Sequence, residues 1–212
     1  MSEQPKSILH RHGLRPKKSW GQNFLGDDRI LSGIARACTL GPGDVVVELG
    51  AGLGHLTRHL AETGATVVAV ERDRELIPVL EAELNLPNVR VVAANAATVD
   101  FAAIAGVPKV AVVGNLPYHL SSPILFALLH QRASISRGVF LLQKEVAERL
   151  AAEPDSKTYG LLSVLLQLYA DVEVVLQVPR FAFFPPPKVD SAVVRLDILP
   201  TGRIYRHPRP SD

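Results

Sequence analysis

Short apolar runs alternate with segments of helical periodicity between residues 45 and 131, and this alternation constrains the fold more than any other feature of the chain. The apolar runs have the length and the β-branched content of buried strands, and they are residues 45–49, 65–70, 88–93 and 109–113. The segments with helical spacing are residues 55–61, 75–84 and 121–131. Strands that alternate with helices predict a parallel, doubly wound α/β sheet, because parallel neighbours are joined by crossover connections.

Each of the four predicted strands ends in residues suited to ligand binding. The first runs into the glycine loop GAGLG (50–54), the second ends at Glu71, the third leads to Asn95 and the fourth to Asn115. Open α/β sheets bind ligands beyond the carboxyl ends of their strands. A glycine loop lets backbone N–H groups approach a ligand, and an acid such as Glu71 is placed to accept both hydroxyls of a ribose. The convergence of these residues therefore predicts one site.

Taken singly, these features are weaker signals. The loop spacing is G-x-G-x-G and differs from the dinucleotide-binding G-x-G-x-x-G. Glu71 also suits the start of a helix, where the helix dipole favours an acid.

The run GNLPY (114–118) at the end of the fourth strand combines an amide, a proline and an aromatic ring. Asn115 offers both an acceptor and a donor, and Tyr118 offers a flat face for a base. Pro117 restricts Leu116 to extended geometry, which sets the direction of the Leu116 carbonyl. Together these groups could hold a planar ring that carries an amino group. A strand-to-helix turn with no binding role is the alternative that these residues leave open.

Length and composition indicate one domain of ordinary globular character, with 212 residues, 47% hydrophobic and 21% charged. No apolar run approaches the length of a membrane span, and the first residues lack the apolar core of a signal peptide, so we expect no membrane association. A lone cysteine, Cys38, excludes an internal disulfide, indicates a reducing cytoplasm and fits a helix core position. The seven histidines show no ligand cluster, so we predict no metal site.

Two segments are candidates for contact with nucleic acid. Residues 1–20 form an irregular, flexible basic arm in our interpretation, although a merely solvated terminus explains the same charges. The segment 181–188 combines aromatics, prolines and a lysine, and it suits either an aromatic rim for unstacked bases or a rigid loop that covers the sheet edge. The RNA-binding residues predicted from these two segments are Arg15, Lys17, Lys18, Phe183, Phe184 and Lys188.

The chain resembles the ribosomal RNA adenine dimethyltransferases, which dimethylate two adjacent adenosines near the 3′ end of small-subunit rRNA. The matching segments are GQNFL (21–25), VVELGAGLGHLT (46–57), VAVERD (68–73), VVGNLPYHLSSPILFALL (112–129), LLQKEVAERLAAEPDSKTYGLLSV (141–164) and FFPPPKVDSAVVRL (183–196). They span most of residues 20–196. The related methyltransferases of large-subunit rRNA share the first motifs and are less similar over the last two.

The resemblance implies a Rossmann-like fold that uses S-adenosylmethionine, with a mostly parallel sheet and an antiparallel edge. The catalytic residues that it implies are Asn115, Leu116, Pro117 and Tyr118. The cofactor-binding residues are Gln22, Asn23, Leu25, Gly50, Gly52, Gly54, Glu71, Arg72, Asn95, Ala96 and Asn115. In this arrangement the Asn115 side chain and the Leu116 carbonyl bind the amino group of the target adenine, and Tyr118 stacks on its ring.

Two departures from the family pattern affect these expectations. Relatives usually carry aspartate where this chain has Asn95, and the lost charge weakens a hydrogen bond to the cofactor adenine. The family usually continues into a small C-terminal helical domain, which we expect to be absent here. The expected organisation is a basic flexible arm at 1–20, a catalytic domain at 21–199 and a disordered tail at 200–212.

The sequence thus predicts a cytoplasmic, monomeric rRNA adenine dimethyltransferase that acts on immature small ribosomal subunits. Two alternatives remain from sequence. One is a weakly active or inactive assembly factor that docks on immature small subunits, and the other is a methyltransferase of large-subunit rRNA.

Overall fold

The computed structural model describes residues 3–154, 156–199 and 201–203, and over these ranges the chain has an α/β fold. Its strands are β1 (Phe24–Leu25), β2 (Val45–Leu49), β3 (Thr66–Glu71), β4 (Val89–Ala93), β5 (Val110–Asn115), β6 (Ile135–Gln143), β7 (Ala170–Val178), β8 (Phe183–Phe184) and β9 (Ser191–Ile198). Its α-helices are α1 (Pro5–Arg11), α2 (Asp28–Cys38), α3 (His55–Ala61), α4 (Leu76–Glu83), α5 (Phe101–Ala105), α6 (Ser121–His130), α7 (Lys144–Leu150) and α8 (Leu161–Tyr169).

The main sheet has the strand order β4-β3-β2-β5-β6-β9-β7. The first five strands in this order are parallel to one another, and β9 is antiparallel to both β6 and β7. The predicted doubly wound sheet with an antiparallel edge is therefore confirmed. A second, two-stranded sheet pairs β1 with β8, so that Leu25 lies opposite Phe183. This small sheet joins segments that are distant in the sequence.

Alternation along the strands builds a hydrophobic core on each face of the main sheet. Along β2, the buried Val46 packs into one core and its neighbour Val47 into the other, because successive side chains of a strand point to opposite faces. The core around Val46 is completed by α2 and α3, and the core around Val47 by α5, α6, α7 and α8. Covering both faces leaves the strand ends as the place where a ligand can approach the sheet.

The prediction that residues 1–20 are irregular is wrong, because the segment contains the helix α1. Pro5 begins that helix, a position where its missing N–H is no loss. Ile8 and Leu9 are buried, and they pack in a cluster with Phe24 and Leu53. Burial of Ile8 and Leu9 fixes α1 against the rest of the protein, although the basic charge of residues 1–20 predicts a flexible arm. At the other end, the predicted tail lies mostly outside the described residues, which end at 203.

Helix α2 follows its sequence prediction closely. The Asp27 side chain caps it by accepting hydrogen bonds from the N–H groups of Arg29 and Ile30. Cys38 is a core residue of this helix, as predicted, and burial raises the pKa of its thiol to about 12. Within the described residues, no helix is both long and apolar enough to cross a membrane.

Candidate active site

A cleft opens at the carboxyl ends of β2, β3, β4 and β5, and the space within it and in the open solvent at its mouth is about 1170 Å³. Its walls include residues 20–25, the glycine loop, the ends of the central strands and Phe183, together with apolar side chains from α2, α4 and α6. The residues predicted from sequence that line it are Gln22, Asn23, Leu25, Gly50, Gly52, Glu71, Arg72, Asn95, Ala96, Asn115, Leu116, Pro117, Tyr118 and Phe183. The structure thus brings nearly all predicted catalytic and cofactor-binding positions into one site.

Gly54 is the exception among the predicted cofactor residues, since it is not part of the cleft lining. It stands at the N-terminus of α3 with φ of 82°, and its N–H donates to the Ala51 carbonyl. A Cβ atom at this position would lie 2.7 Å from Cδ1 of Leu84 and 2.9 Å from Cδ1 of Leu80. The need for glycine here is therefore conformational and steric.

Glu71 lies at the cleft with its carboxylate already held by the backbone. Its Oε2 accepts from the Gly52 N–H at 2.9 Å, and its Oε1 accepts from the N–H groups of Arg72 and Asp73 at 2.8 Å each. These bonds fix the carboxylate at the end of β3, where a carboxylate oxygen still has lone pairs to accept further hydrogen bonds. Glu71 is only 7% exposed, so it is an oriented acceptor in the wall and not a solvated surface acid.

Asn115, at the end of β5, is oriented by a contact with a distant segment. Its Nδ2 donates to the Asn23 carbonyl at 2.9 Å. This bond fixes which half of the amide is the donor, so the side-chain carbonyl oxygen remains as an acceptor. Leu116 is buried beside it and donates its N–H to the Leu141 carbonyl at 3.3 Å.

Tyr118 begins a short 3₁₀ helix, Tyr118–Leu120, immediately after the proline. Its hydroxyl lies 2.9 Å from the Ser191 hydroxyl at the start of β9. Burial raises the pKa of Tyr118, against the opposing effect of the Ser191 hydrogen bond, so the phenol stays protonated at neutral pH. The ring is thus held at both ends, by the backbone turn and by Ser191.

Asn95 is exposed at the rim of the cleft and forms a turn of its own. Its side-chain oxygen accepts from the Ala97 N–H at 3.1 Å, and its main-chain carbonyl accepts from the N–H groups of Thr98 and Val99. Such a turn holds Asn95 and the neighbouring Ala96 in a fixed position against the cleft.

The predicted RNA-binding residues separate into two groups. Arg15, Lys18 and Lys188 are exposed and remain candidates for phosphate contacts. Lys17 is instead bound to Asp73 and Glu75.

The two predicted rim aromatics also differ from the expectation. Phe183 is 5% exposed and lies in the cleft wall, so it is not part of an exposed rim. Phe184 is half-buried against the cluster around Phe24 and Leu53. Pairing of β8 with β1 turns these rings inward, and a local pattern could not reveal that pairing.

Sequence reasoning missed Glu48 and Trp20, which both line the cleft. Glu48 is 2% exposed, and its Oε2 has no hydrogen-bond partner in the described part of the chain. A single acid inside the apolar run of β2 was the available signal. Trp20 packs against the Arg72 guanidinium, whose carbon lies 4.2 Å from the ring centroid. Across residues 3–154, 156–199 and 201–203, no group of three potential ligands could hold a metal ion.

Comparisons with known proteins show the family and the fold that this chain shares. Residues 13–203 match the family described as ribosomal RNA adenine dimethylase. The ribosomal RNA small subunit methyltransferase A of Myxococcus xanthus is 65% identical over 194 residues, which are 92% of this chain and 68% of that protein. A solved dimethyladenosine transferase from Plasmodium falciparum has a TM-score of 0.75 at 32% identity, over 83% of this chain and 63% of that one. The solved 23S rRNA methyltransferase ErmE has a TM-score of 0.76 at 32% identity, over 85% and 71%.

Proposed function

This chain belongs to the ribosomal RNA adenine dimethylase family, and from that premise we propose that it dimethylates two adjacent adenosines near the 3′ end of small-subunit rRNA. The methyl donor is S-adenosylmethionine. The observation that carries the proposal is the meeting of Asn115, Tyr118 and Glu71 in one cleft at the strand ends. The similarity to a small-subunit enzyme, at 65% identity against 32% for the 23S rRNA enzyme, favours small-subunit over large-subunit rRNA.

The residues of the cleft fit S-adenosylmethionine. The ligand carries an ammonium group, and Glu48 offers a buried carboxyl whose Oε2 lacks a partner among the described residues. Glu71 offers an oriented acceptor for ribose hydroxyls. Asn95 and Ala96 stand at the rim where the cofactor adenine would lie. When bound, S-adenosylmethionine supplies a methyl group on a positively charged sulfur.

Asn115 and Leu116 act on the amine that accepts the methyl group. An exocyclic amine of adenine is a poor nucleophile because its lone pair is delocalised into the ring. Two acceptors on its hydrogens, the Asn115 side-chain oxygen and the Leu116 carbonyl, favour a pyramidal nitrogen with its lone pair directed away from them. Alignment of this kind contributes several kcal/mol to a group transfer without a strong base.

Tyr118 supplies the stacking face for the target adenine. The base must leave its stack to enter the cleft, and an aromatic face there compensates for part of the lost stacking. Because Ser191 and the turn at Pro117 fix the ring, the tyrosine does not need to be ordered when the base enters. Phe183 is a second aromatic side chain in the lining of the cleft.

The proposed substrate is rRNA within an immature small subunit, and the proposed setting is the cytoplasm, with the protein acting as a monomer. Exposed cations at Arg15, Lys18 and Lys188 support contact with a phosphate backbone.

The test is to incubate the protein with labelled S-adenosylmethionine and small subunits that lack the modification, and then to digest the RNA. We expect dimethyladenosine at two neighbouring positions, and we expect an Asn115→Ala variant to yield little product even at saturating cofactor. Cofactor and subunit binding without any product in the parent chain would replace the enzyme proposal with a docking role. Methylation of large-subunit RNA instead would overturn the choice of substrate.

A further inference from the structure

Residues 17–23, which we call the strap, cross from α1 to β1, and four of them, residues 20–23, line the cleft. One buried carboxylate holds the strap at its start. The Lys17 ammonium donates to Oδ1 of Asp73 at 2.7 Å, and the Gln22 amide donates to Oδ2 of the same residue at 2.7 Å. Asp73 is 2% exposed, so both of its oxygens bind strap side chains out of reach of bulk water.

Further contacts fix the strap internally and against the loop after β3. The Lys17 N–H donates to the Gln22 side-chain oxygen at 2.8 Å, which closes the strap on itself. Lys17 also pairs with Glu75 at 2.5 Å, and its ammonium lies 4.9 Å from the Trp20 ring centroid. The Trp20 ring also packs against the guanidinium of Arg72. The partners of the strap at this end, Arg72, Asp73 and Glu75, all lie in the four residues after Glu71.

Asp73 also connects the strap to the cofactor residues. Its N–H donates to Oε1 of Glu71, whose Oε2 accepts from Gly52 in the glycine loop. The far end of the strap reaches the proposed target site, because the Asn23 carbonyl accepts from Asn115. Hydrogen bonds therefore connect the glycine loop through Glu71 and Asp73 to Gln22, and the strap backbone carries the connection on to Asn23, which binds Asn115.

We propose that Asp73 is a positioning residue that latches the strap over bound S-adenosylmethionine and thereby sets the orientation of Asn115. This inference rests on the proposed function, which supplies the cofactor and the role of Asn115. Releasing the latch frees the strap from the Glu71 side of the cleft, and it removes the constraint on the Asn23 carbonyl that orients the Asn115 amide. Both cofactor retention and methyl transfer are then expected to suffer.

The charge states of the pair support a latch that is closed at neutral pH. Burial acts to raise the pKa of Asp73, but the hydrogen bonds from Lys17, the Glu75 N–H and Gln22 outweigh it and lower that pKa below its usual 3.8. The hydrogen bonds to Asp73 and Glu75 raise the pKa of Lys17 above its usual 10.5. Both partners are therefore charged across the physiological range.

The primary test is Asp73→Asn in the full chain. Lys17 and Gln22 donate to different oxygens of Asp73, and asparagine replaces one of those oxygens with an NH2 group, which cannot accept a hydrogen bond. We expect the Kd for S-adenosylmethionine, measured by calorimetry without RNA, to rise about tenfold. This is the smallest effect expected when a hydrogen bond to a charged group is lost. We also expect faster cofactor dissociation and a lower kcat at saturating cofactor and RNA.

Lys17→Gln is the second variant, and it removes the same ion pair. Because the Lys17 side chain is more exposed than that of Asp73, we expect this change to destabilise the fold less. The double variant should bind the cofactor no more weakly than the weaker single variant, because both changes release one latch.

Asp197→Asn is the matched control. Asp197 is also a carboxylate bound by two cationic side chains, Arg137 and Arg195. Burial acts to raise its pKa, but the hydrogen bonds from these cations outweigh burial and lower it. It lies on β9 and is not part of the cleft lining. Its loss should change the free energy of unfolding and leave cofactor affinity unchanged.

The outcomes separate the latch from the proposed function. Unchanged cofactor affinity and dissociation rate in both latch variants, or an equal loss in Asp197→Asn, would overturn the latch. A parent chain that binds cofactor, shows the latch effect and forms no dimethyladenosine would overturn the proposed function alone. A parent chain that does not bind S-adenosylmethionine would overturn both.

Discussion

Glu48 gives the sharpest physical prediction, because it places an ionisable group in the sheet with almost no solvent. The residue is 2% exposed, and in the described chain its Oε2 has no hydrogen-bond partner. The pKa of Glu48 is raised from its usual 4.5 to about 8, mainly by burial; the Thr57 hydroxyl acts to lower it, and the negative charge of Glu71 acts to raise it. Glu48 in the cofactor-free protein is therefore mostly protonated at pH 7.

The direction of the pH effect follows from the raised pKa. The folded protein binds this proton more tightly than the unfolded chain does, so the associated stability is fully present below about pH 4.5 and is lost as the pH rises through about 8. At about 1.4 kcal/mol per pH unit, the interval from 4.5 to about 8 corresponds to a loss of up to about 5 kcal/mol. Glutamine has nearly the same shape and no proton to lose.

The variant is Glu48→Gln, and the assay is urea unfolding of the cofactor-free protein at several pH values from 5 to 9. We expect the free energy of unfolding of the variant, relative to that of the parent, to increase by several kcal/mol as the pH rises. Most of this increase should occur below pH 8.5. Parallel pH profiles for the two proteins would refute the reasoning, since they would mean that Glu48 ionises in the folded state without penalty.

Three further predictions concern the cleft and its support. Gly54→Ala should lower the free energy of unfolding by about 3 kcal/mol, because it combines a left-handed φ with a 2.7 Å contact between the new Cβ atom and Leu84. The control is Gly106→Ala, where φ is 71° but no atom lies near the new Cβ, and it should lower the free energy of unfolding by only about 1 kcal/mol. Equal losses in urea unfolding would contradict the steric argument. Asn95→Asp should bind S-adenosylmethionine more tightly, because a charged acceptor strengthens the hydrogen bond; equal affinities by calorimetry would refute this. Tyr118→Phe should keep most of the methyl transfer activity, and Tyr118→Ala should lower kcat/KM about tenfold to a hundredfold, the range expected for the loss of one base stack. A loss of activity in the phenylalanine variant as large as that in the alanine variant would assign the role to the hydroxyl.

The sequence by itself determined the class of fold and the location of the candidate site. Alternating apolar runs specified strands, and each strand ends close to the residue where its pattern stops, as at Leu49 in β2. In a parallel sheet, all such ends meet at one edge. The positions Gly50, Glu71, Asn95 and Asn115 could therefore be assigned to one cleft from the order of elements, before any contact was known.

Only the tertiary structure decided what individual side chains do there. Lys17 carries the same charge as Lys18, but it pairs with Asp73, which is 56 positions away. Phe183 belongs to a run that suggested an exposed rim, but pairing with Leu25 turns it into the cleft wall. Residues 5–11 contain few apolar side chains, and Ile8 and Leu9 are buried only because a cluster from other segments receives them. Local periodicity shows which face of a helix or strand is apolar. The segment that packs against that face is set by long-range contacts, which cannot be identified from any single stretch of sequence.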